Sequence, residues 1–199
     1  GSDLPLLDLG CGPGFLVNQL KGKAAAVHGA DISPAYVEAC RQQHPEATFT
    51  CVKAYDNEAY GDIIREHTIS RVIMLSVMQY YTDKEAVKAL VQTLARAAQH
   101  QPLTFLIADL IPPNHAFLDD FKSLLGHALK KGYIFSLARF MAYAVFSDYR
   151  KYNKAGILQL EPAFFEALGH ELGVQVKIIK GLTPHSGRYN VLFDFNTPS

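Results

Sequence analysis

The chain of 199 residues has no tryptophan, only three cysteines, and no surplus of charge of either sign. Cys11, Cys40 and Cys51 are odd in number and lack metal-ligand spacing, which argues against a disulfide framework and a metal centre. Lys plus Arg and Asp plus Glu both number 19, so no basic excess indicates a nucleic-acid partner. The apolar run at residues 133–146 is too short to span a membrane and is interrupted by Arg139. With no signal peptide, these absences predict a cytoplasmic protein.

The composition that remains is that of an ordinary globular domain. Hydrophobic residues make up 49% and charged residues 19% of the chain, which is ample material for a core. At this length we expect a single domain over residues 1–199.

A glycine-rich turn near the amino terminus is the most informative feature of the sequence. Residues 6–9, LLDL, read as a buried strand, residues 10–14, GCGPG, as a turn, and residues 15–17 as the start of a helix. Glycine lets the backbone adopt positive φ and lets a ligand approach closely. The helix start behind the turn offers free N–H groups, so the unit predicts a nucleotide site.

The spacing of the glycines distinguishes two kinds of nucleotide. The dinucleotide fingerprint G-x-G-x-x-G requires its third glycine where this chain has Phe15. Pro13 removes an N–H from the turn, and Asp8 places a carboxylate at the end of the strand; both disfavour a diphosphate. S-adenosylmethionine (SAM) carries an ammonium, a sulfonium and no phosphate, so it suits this turn better.

Three motifs resemble those of the class I SAM-dependent methyltransferases. LLDLGCGPG at residues 6–14 is similar to the first motif of the family, and DISPAYVEAC at residues 31–40 is similar to the segment that ends its second strand. Residues 76–80 follow the fourth strand, where many members carry a small residue and then an aromatic residue or histidine. The resemblance extends from Leu4 to about Phe195. It implies an enzyme that uses SAM and releases S-adenosylhomocysteine (SAH).

The resemblance also implies which residues bind the cofactor. In the family, the acidic residue that ends the second strand accepts hydrogen bonds from both ribose hydroxyls, and Asp31 occupies this position. Near the third strand, Asp56 or the main chain of Ala54 or Tyr55 would meet the adenine amino group, although Asp56 is equally well a solvated loop carboxylate. The expected cofactor-binding residues are Asp8, Gly10, Cys11, Gly12, Gly14, Asp31, Ile32, Ala54, Tyr55 and Ser76. No metal is expected, and Cys11 is interpreted as a small residue that fits the turn.

Alternation of strands and helices predicts an α/β fold with a doubly wound sheet. The resemblance implies the Rossmann-like methyltransferase form, with seven mostly parallel strands and an antiparallel terminal hairpin. Predicted strands are Leu4–Leu9, Ala25–Ala30, Thr48–Val52, Val72–Leu75, Leu103–Ala108, Val174–Ile179 and Tyr189–Phe195. Predicted helices are Gly14–Leu20, Pro34–Gln43, about Glu58–Glu66, Lys84–Ala98 and Glu161–Leu172. Ser33, and either Thr82 or Asp83, are the predicted helix caps.

A helical insert is predicted after the fifth strand, at about residues 112–158. Phe117, Phe121 and Leu125 recur there at helical spacing. In similar small-molecule methyltransferases an insert at this point forms a lid over the acceptor pocket and recognises the substrate. The simpler interpretation, that its aromatic residues pack onto the domain or form a dimer face, stays open.

The chemistry implied by the resemblance needs few catalytic groups. Methyl transfer from SAM is an in-line displacement in which the enzyme mainly orients the reactants and excludes water. A base matters when the acceptor is a hydroxyl or a protonated amine. No catalytic residue is identified; the weak candidates are Gln79, Tyr80, His115 and His185, with Asp109 and His127 as further candidate bases. For each histidine, a surface or packing role is the more usual one.

The sequence therefore predicts methyl transfer from SAM to an oxygen or nitrogen of a small molecule, with no nucleic-acid partner and no membrane span. Two alternatives stay open: a nicotinamide-dependent oxidoreductase, and a non-catalytic SAM-fold module of a larger synthase. Gly1 and Ser2 resemble a cloning remnant, and the helices that usually precede the first strand of the family are missing. We therefore expect a trimmed chain or one domain of a longer protein, and a homodimer also stays open.

Overall fold

The computed structural model describes residues 4–20, 22–113, 157–183 and 187–198. The strands are β1 (Leu6–Leu9), β2 (Val27–Asp31), β3 (Thr48–Cys51), β4 (Arg71–Leu75), β5 (Thr104–Leu110), β6 (Val174–Lys180) and β7 (Tyr189–Pro198). The α-helices are α1 (Phe15–Leu20), α2 (Pro34–Gln43), α3 (Asn57–Glu66), α4 (Lys84–Ala97) and α5 (Pro162–Leu172). A short 3₁₀-helix, Met78–Tyr80, follows β4. None of the helices in these ranges combines the length and apolar content needed to cross a membrane.

All seven described strands form one sheet in the order β3-β2-β1-β4-β5-β7-β6. Strands β1 to β5 run parallel, and β7 pairs antiparallel with both β5 and β6. The chain moves outward from β1 to β2 and β3 and then returns to the other side of β1 for β4, so the order reverses between β1 and β4. The carboxyl ends of these two strands flank the crevice where open α/β sheets bind ligands. The predicted fold class is confirmed.

The helices begin where the sequence supplies caps. The Ser33 side chain accepts a hydrogen bond from Tyr36 N at 3.4 Å, with Pro34 as the first helical residue of α2. At the start of α4, Asp83 and not Thr82 is the cap, and it accepts from Ala86 N at 2.9 Å. These local contacts orient the helices that connect successive strands.

The core has two parts, one on each side of the sheet. The larger cluster joins the sheet to α3, α4 and α5 through residues such as Ile64, Leu90 and Phe165, all fully buried. The smaller cluster joins β3 to α1 and α2 through Val17, Val37, Cys40 and Phe49. Helices thus cover both faces of the sheet, which explains why every residue of β1 is buried.

Residues 157–160, where the described chain resumes after β5, are hydrogen-bonded to the segments that follow β4 and β5. Leu160 N donates to Ile111 O at 3.2 Å, and Leu158 N donates to Gln79 O at 2.9 Å. The buried Tyr189 hydroxyl donates to Leu160 O at 2.6 Å and anchors the returning segment to β7. Most of the predicted insert, residues 114–156, lies outside the described residues, and its role stays a prediction.

Candidate active site

The carboxyl ends of β1 to β5 bring together residues that are far apart in the sequence. Asp8 lies in β1 and Asp31 ends β2, while Tyr55 and Ser76 follow β3 and β4. Asp109 is the next-to-last residue of β5. The cofactor residues and the candidate base of the sequence analysis therefore lie along one edge of the sheet.

The glycine turn after β1 is packed tightly against β2 and the segment after β4. Gly10 N donates to Ala30 O at 2.7 Å. Gly10 has φ +80°, and a Cβ at this position would lie 2.5 Å from Val77 Cγ2. Only glycine combines this backbone conformation with this close contact. The turn is therefore held closely against β2, with Cys11 N also donating to Ala30 O at 3.1 Å.

Asp31 holds the turn in place. Its Oδ2 accepts a hydrogen bond from Gly12 N, and its Oδ1 accepts one from Ser33 N, both at 2.8 Å. The residue is 8% exposed, so these two bonds compensate for its burial. Each carboxylate oxygen has capacity for further donors, which is what two ribose hydroxyls require.

Asp8 lies beneath the turn and is only 2% exposed. Its Oδ2 has no hydrogen-bond partner among the described residues. Burial, with a smaller contribution from the nearby Asp31 carboxylate, raises the pKa of Asp8 to about 7. A cation beside this carboxyl would favour its ionised form, so Asp8 is suited to bind an ammonium group.

Buried oxygens without donors recur along this edge. In the described part of the chain, five buried side-chain polar atoms lack a partner, and four of these are oxygens at the carboxyl ends of strands. The four oxygens are Asn57 Oδ1 after β3, Asp8 Oδ2 in β1, Gln79 Oε1 after β4 and Asp109 Oδ1 in β5. Unpaired buried polar atoms are costly and uncommon in folded proteins. A ligand that carries several hydrogen-bond donors would satisfy this row.

The backbone is strained at the same edge. Tyr55, Ser76 and Asp109 have φ values of 62°, 56° and 69°, a region that side chains other than glycine rarely adopt. The three residues lie at the ends of β3, β4 and β5. Such strain persists only where the surrounding structure imposes it, and it concentrates at functional sites.

Asp109 is the centre of a buried polar cluster. Its Oδ2 accepts from Ser76 Oγ at 2.7 Å and from Arg188 Nη1 at 2.5 Å. The backbone N–H of Asp109 donates to Asn190 Oδ1 at 3.0 Å. Arg188 was not predicted, because nothing in the sequence pairs it with a residue 79 positions away. An arginine just before a terminal apolar strand was the only available signal.

The cysteines of this region are structural. Cys11 is buried in the turn, and burial raises the pKa of its thiol. Cys40 Sγ donates to Gly12 O at 3.3 Å from the side of α2. Both thiols are shielded and protonated, in agreement with the interpretation of Cys11 as a small residue that fits the turn.

Apolar and aromatic side chains border the edge. Ile32 is 58% exposed and Tyr55 is 49% exposed, on either side of the end of β3. The Tyr55 ring packs edge-on against Tyr81 with 5.7 Å between centroids. Exposed apolar surfaces of this kind suit a planar base. The neighbouring Asp56 carboxylate caps α3 and accepts from Ala59 N at 3.2 Å.

Of the remaining candidate catalytic residues, the structure describes two and leaves three histidines undescribed. Gln79 is buried and Tyr80 is exposed in the 3₁₀-helix at the same edge. His115, His127 and His185 lie outside the described residues, so their proposed roles stay predictions.

Comparison with known proteins agrees with this geometry. Residues 6–101 match a family described as a methyltransferase domain. The recognition based on the glycine turn and Asp31 is therefore confirmed, and so is a SAM-dependent methyltransferase as the class of enzyme. A search of curated proteins gave no match.

Solved structures share the fold at low sequence identity. Magnesium protoporphyrin IX methyltransferase (ChlM) from Synechocystis PCC 6803, crystallised with SAM, is 17% identical with a TM-score of 0.57; the match covers 96% of this chain and 69% of that one. DesVI from Streptomyces venezuelae is 16% identical with a TM-score of 0.59, over 99% and 84% of the two chains. A TehB-like SAM-dependent methyltransferase from Corynebacterium glutamicum is 14% identical with a TM-score of 0.58, over 98% and 81%. These likenesses support the fold assignment.

Proposed function

We propose that this protein transfers the methyl group of SAM to an oxygen or nitrogen of a small molecule. The observation that carries the proposal is the buried, unpartnered oxygen of Asp8 beneath a glycine turn that Asp31 holds in place. SAM offers donors at its adenine amine, its ribose hydroxyls and its ammonium. It also supplies an electrophilic methyl group on sulfur, and the residues of this site fit such a molecule.

Each part of SAM has a suitable group at this edge. Asp8 would bind the ammonium because it is a buried carboxylate with an unpartnered oxygen. Asp31 would accept from the ribose hydroxyls, with its orientation set by the two backbone N–H groups. Ile32 and Tyr55 would contact the adenine, and the main chain of Ala54 lies beside them. Gly10, Cys11, Gly12, Gly14 and Ser76 complete the proposed cofactor set.

A nicotinamide dinucleotide fits the same edge poorly. Its diphosphate would lie on a turn whose Gly12 N–H is already bonded to the Asp31 carboxylate. The buried carboxyl of Asp8 behind the turn would repel it further. The oxidoreductase alternative therefore has less support than SAM.

We also propose that the acceptor is a small molecule and that the reaction takes place in the cytoplasm. The chain has equal numbers of acidic and basic residues, so no net charge attracts a polyanion. Cys11, Cys40 and Cys51 are all free thiols, which supports a reducing compartment.

Calorimetric titration with SAM, SAH and NADH tests the cofactor. We expect micromolar binding of SAM and SAH and none of NADH. Asp31→Ala removes two charge-assisted bonds to the ribose and should weaken SAH binding about 10-fold to 100-fold. Asp62→Ala is the control, because the Asp62 side chain is 69% exposed on α3 and pairs with Arg65. It should leave SAH binding unchanged.

Binding of NADH but not of SAM would refute the proposal. Equal SAH affinity in Asp31→Ala and the parent would refute the ribose assignment alone. Transfer of labelled methyl from SAM to any acceptor of a hydroxyl and amine panel would exclude a non-catalytic module.

A further inference from the structure

We propose that Asp109 is a catalytic residue whose Oδ1 receives the proton of the acceptor during methyl transfer. The inference rests on the proposed function and adds the position of the acceptor, over the end of β5. It follows from the burial of Asp109, its unpartnered oxygen and the contacts that hold the other oxygen.

The two oxygens of Asp109 have different surroundings. Oδ2 is saturated by Ser76 Oγ and by Arg188 Nη1. Oδ1 is buried and has no partner among the described residues, and the side chain is 8% exposed. The groups around the carboxylate therefore fix its rotation and leave Oδ1 as the oxygen with unused hydrogen-bonding capacity.

The backbone conformation of Asp109 is also fixed by its surroundings. Its φ of 69° is one of the strained values, and its N–H is held by Asn190 Oδ1 at 3.0 Å. The pairing of β5 with β7 also shifts register between Ile107 and Leu110, on either side of this residue. An irregularity of this kind re-aims a side chain at the end of a strand. Structural pairing with Arg188 alone would need neither the strain nor an open oxygen.

Asp109 lies at the same edge of the sheet as the proposed cofactor-binding residues. β4 separates β5 from β1, and Asp109 lies three residues beyond Leu106, the residue in register with Asp8 through Ile73. Asp109 is therefore about 10 Å from Asp8 across the sheet and about 10 Å further along it, roughly 14 Å in all. Ser76, which holds Asp109, adjoins Val77, which packs on Gly10 of the glycine turn. The proposed cofactor runs from Asp8 in β1 toward β2 and β3, so its amino-acid end, next to the methyl sulfonium, is the end nearest β4 and β5.

Among the other groups of this edge, Gln79 is poorly suited to take a proton. Its Oε1 is also buried without a described partner, but an amide is not basic at neutral pH. Gln79 would therefore orient the acceptor by accepting a hydrogen bond, while Asp109 takes the proton. Gln79 follows β4 and Asp109 lies near the end of the adjacent strand β5, so both oxygens are at the same edge of the sheet.

The proposed step balances in atoms and charge. The acceptor oxygen or nitrogen attacks the methyl carbon, the carbon–sulfur bond breaks, and its electron pair stays on sulfur as the neutral thioether SAH. The acceptor proton moves to Asp109 Oδ1. The sulfonium loses its positive charge as the carboxylate loses its negative charge, and Arg188 remains beside the neutral acid until water removes the proton.

Sinefungin, a SAM analogue with an amine in place of the methyl sulfonium, tests this placement without a known acceptor. Its amine is a hydrogen-bond donor at the position of the transferred methyl. The amine is protonated and would lie one acceptor atom away from Asp109 Oδ1, so attraction to the carboxylate should make the parent bind sinefungin about tenfold or more tightly than SAH. In Asp109→Asn this preference should fall to within about threefold, with SAH binding retained.

Asp194→Asn is the matched control. It is the same substitution in the same sheet, but Asp194 pairs with Thr104 at the other end of β5. It should keep the full preference. Asp109→Asn combined with Arg188→Met avoids leaving an unpaired buried arginine, and it gives the same readout if the single variant folds poorly.

The possible results separate the two proposals. Loss of the sinefungin preference in either Asp109 variant, with SAH still bound, supports the inference. Absence of the preference in the parent, or its survival in an Asp109 variant, overturns it. Failure of the parent to bind SAH and sinefungin at all would instead refute the proposed cofactor.

Discussion

Substitution of Gly10 by alanine tests the packing of the glycine turn. Gly10 has φ +80°, and the added Cβ would lie 2.5 Å from Val77 Cγ2 and 3.0 Å from Val77 Cγ1. The left-handed backbone costs alanine about 1–2 kcal/mol. Overpacking against a side chain that cannot move freely adds about 1–3 kcal/mol. The free energy of unfolding should therefore fall by about 2–5 kcal/mol, a large part of the ~5–15 kcal/mol of a typical domain.

Two further variants separate these contributions. Gly173, at the end of α5, has φ +68° but no atom within 4 Å of an added Cβ. Gly173→Ala should therefore lose only the backbone part, about 1–2 kcal/mol. Val77→Ala removes the clashing methyl groups, so in the Gly10→Ala background it should restore about 1–3 kcal/mol relative to additivity.

Urea denaturation of the parent, the three single variants and the double variant measures these differences. The reasoning is refuted if Gly10→Ala costs no more than Gly173→Ala. It is also refuted if Val77→Ala and Gly10→Ala are additive, because the two residues would then not be in the close contact that the structure shows.

The remaining predictions concern Asp8 and Tyr189. Because burial and Asp31 raise the pKa of Asp8 to about 7, the folded state keeps a proton that the unfolded state has lost, and stability falls as pH rises toward 7. Asp8→Asn removes this dependence, so urea denaturation should show its stability relative to the parent rising by about 2–3 kcal/mol between about pH 5 and pH 8; a constant difference would contradict the assignment. Tyr189→Phe leaves the buried Leu160 carbonyl without its 2.6 Å hydrogen bond and should lower the free energy of unfolding by about 1–2 kcal/mol. The same change at Tyr36, 48% exposed, is the control and should cost almost nothing; equal losses at both positions would show that the buried bond is unimportant.

Backbone strain and an unpaired oxygen occur together at Asp109. Asp109 combines a φ of 69° with an unpartnered Oδ1, and Ser76, with a φ of 56°, donates to its other oxygen. The rest of the sheet supplies the stability that holds these residues, since Phe105, Ile107 and other neighbours are fully buried. A rigid scaffold with local conflicts at one edge is the expected form of a binding site.

The sequence by itself determined the part of the site that lies at the ends of β1 and β2. The strand, the glycine turn and the following helix are contiguous, and Asp31 lies at the end of the next strand, so short-range patterns identify them. The alternation of strands and helices likewise indicated the fold class, because right-handed crossovers leave few arrangements for such a chain. Several boundaries differed by one to three residues: β7 continues to Pro198, and β5 continues to Leu110 and so includes Asp109.

Only the tertiary structure decided the part of the site around Asp109, at the end of β5. Asp109 meets Ser76 across 33 residues and Arg188 across 79, and these contacts exist because β7 inserts between β5 and β6. Whether a carboxylate oxygen is paired or left open depends on strand order, register and backbone φ, none of which a local pattern encodes. The sequence could therefore name Asp109 as a candidate, but only the assembled sheet shows which of its oxygens is available and what holds the other.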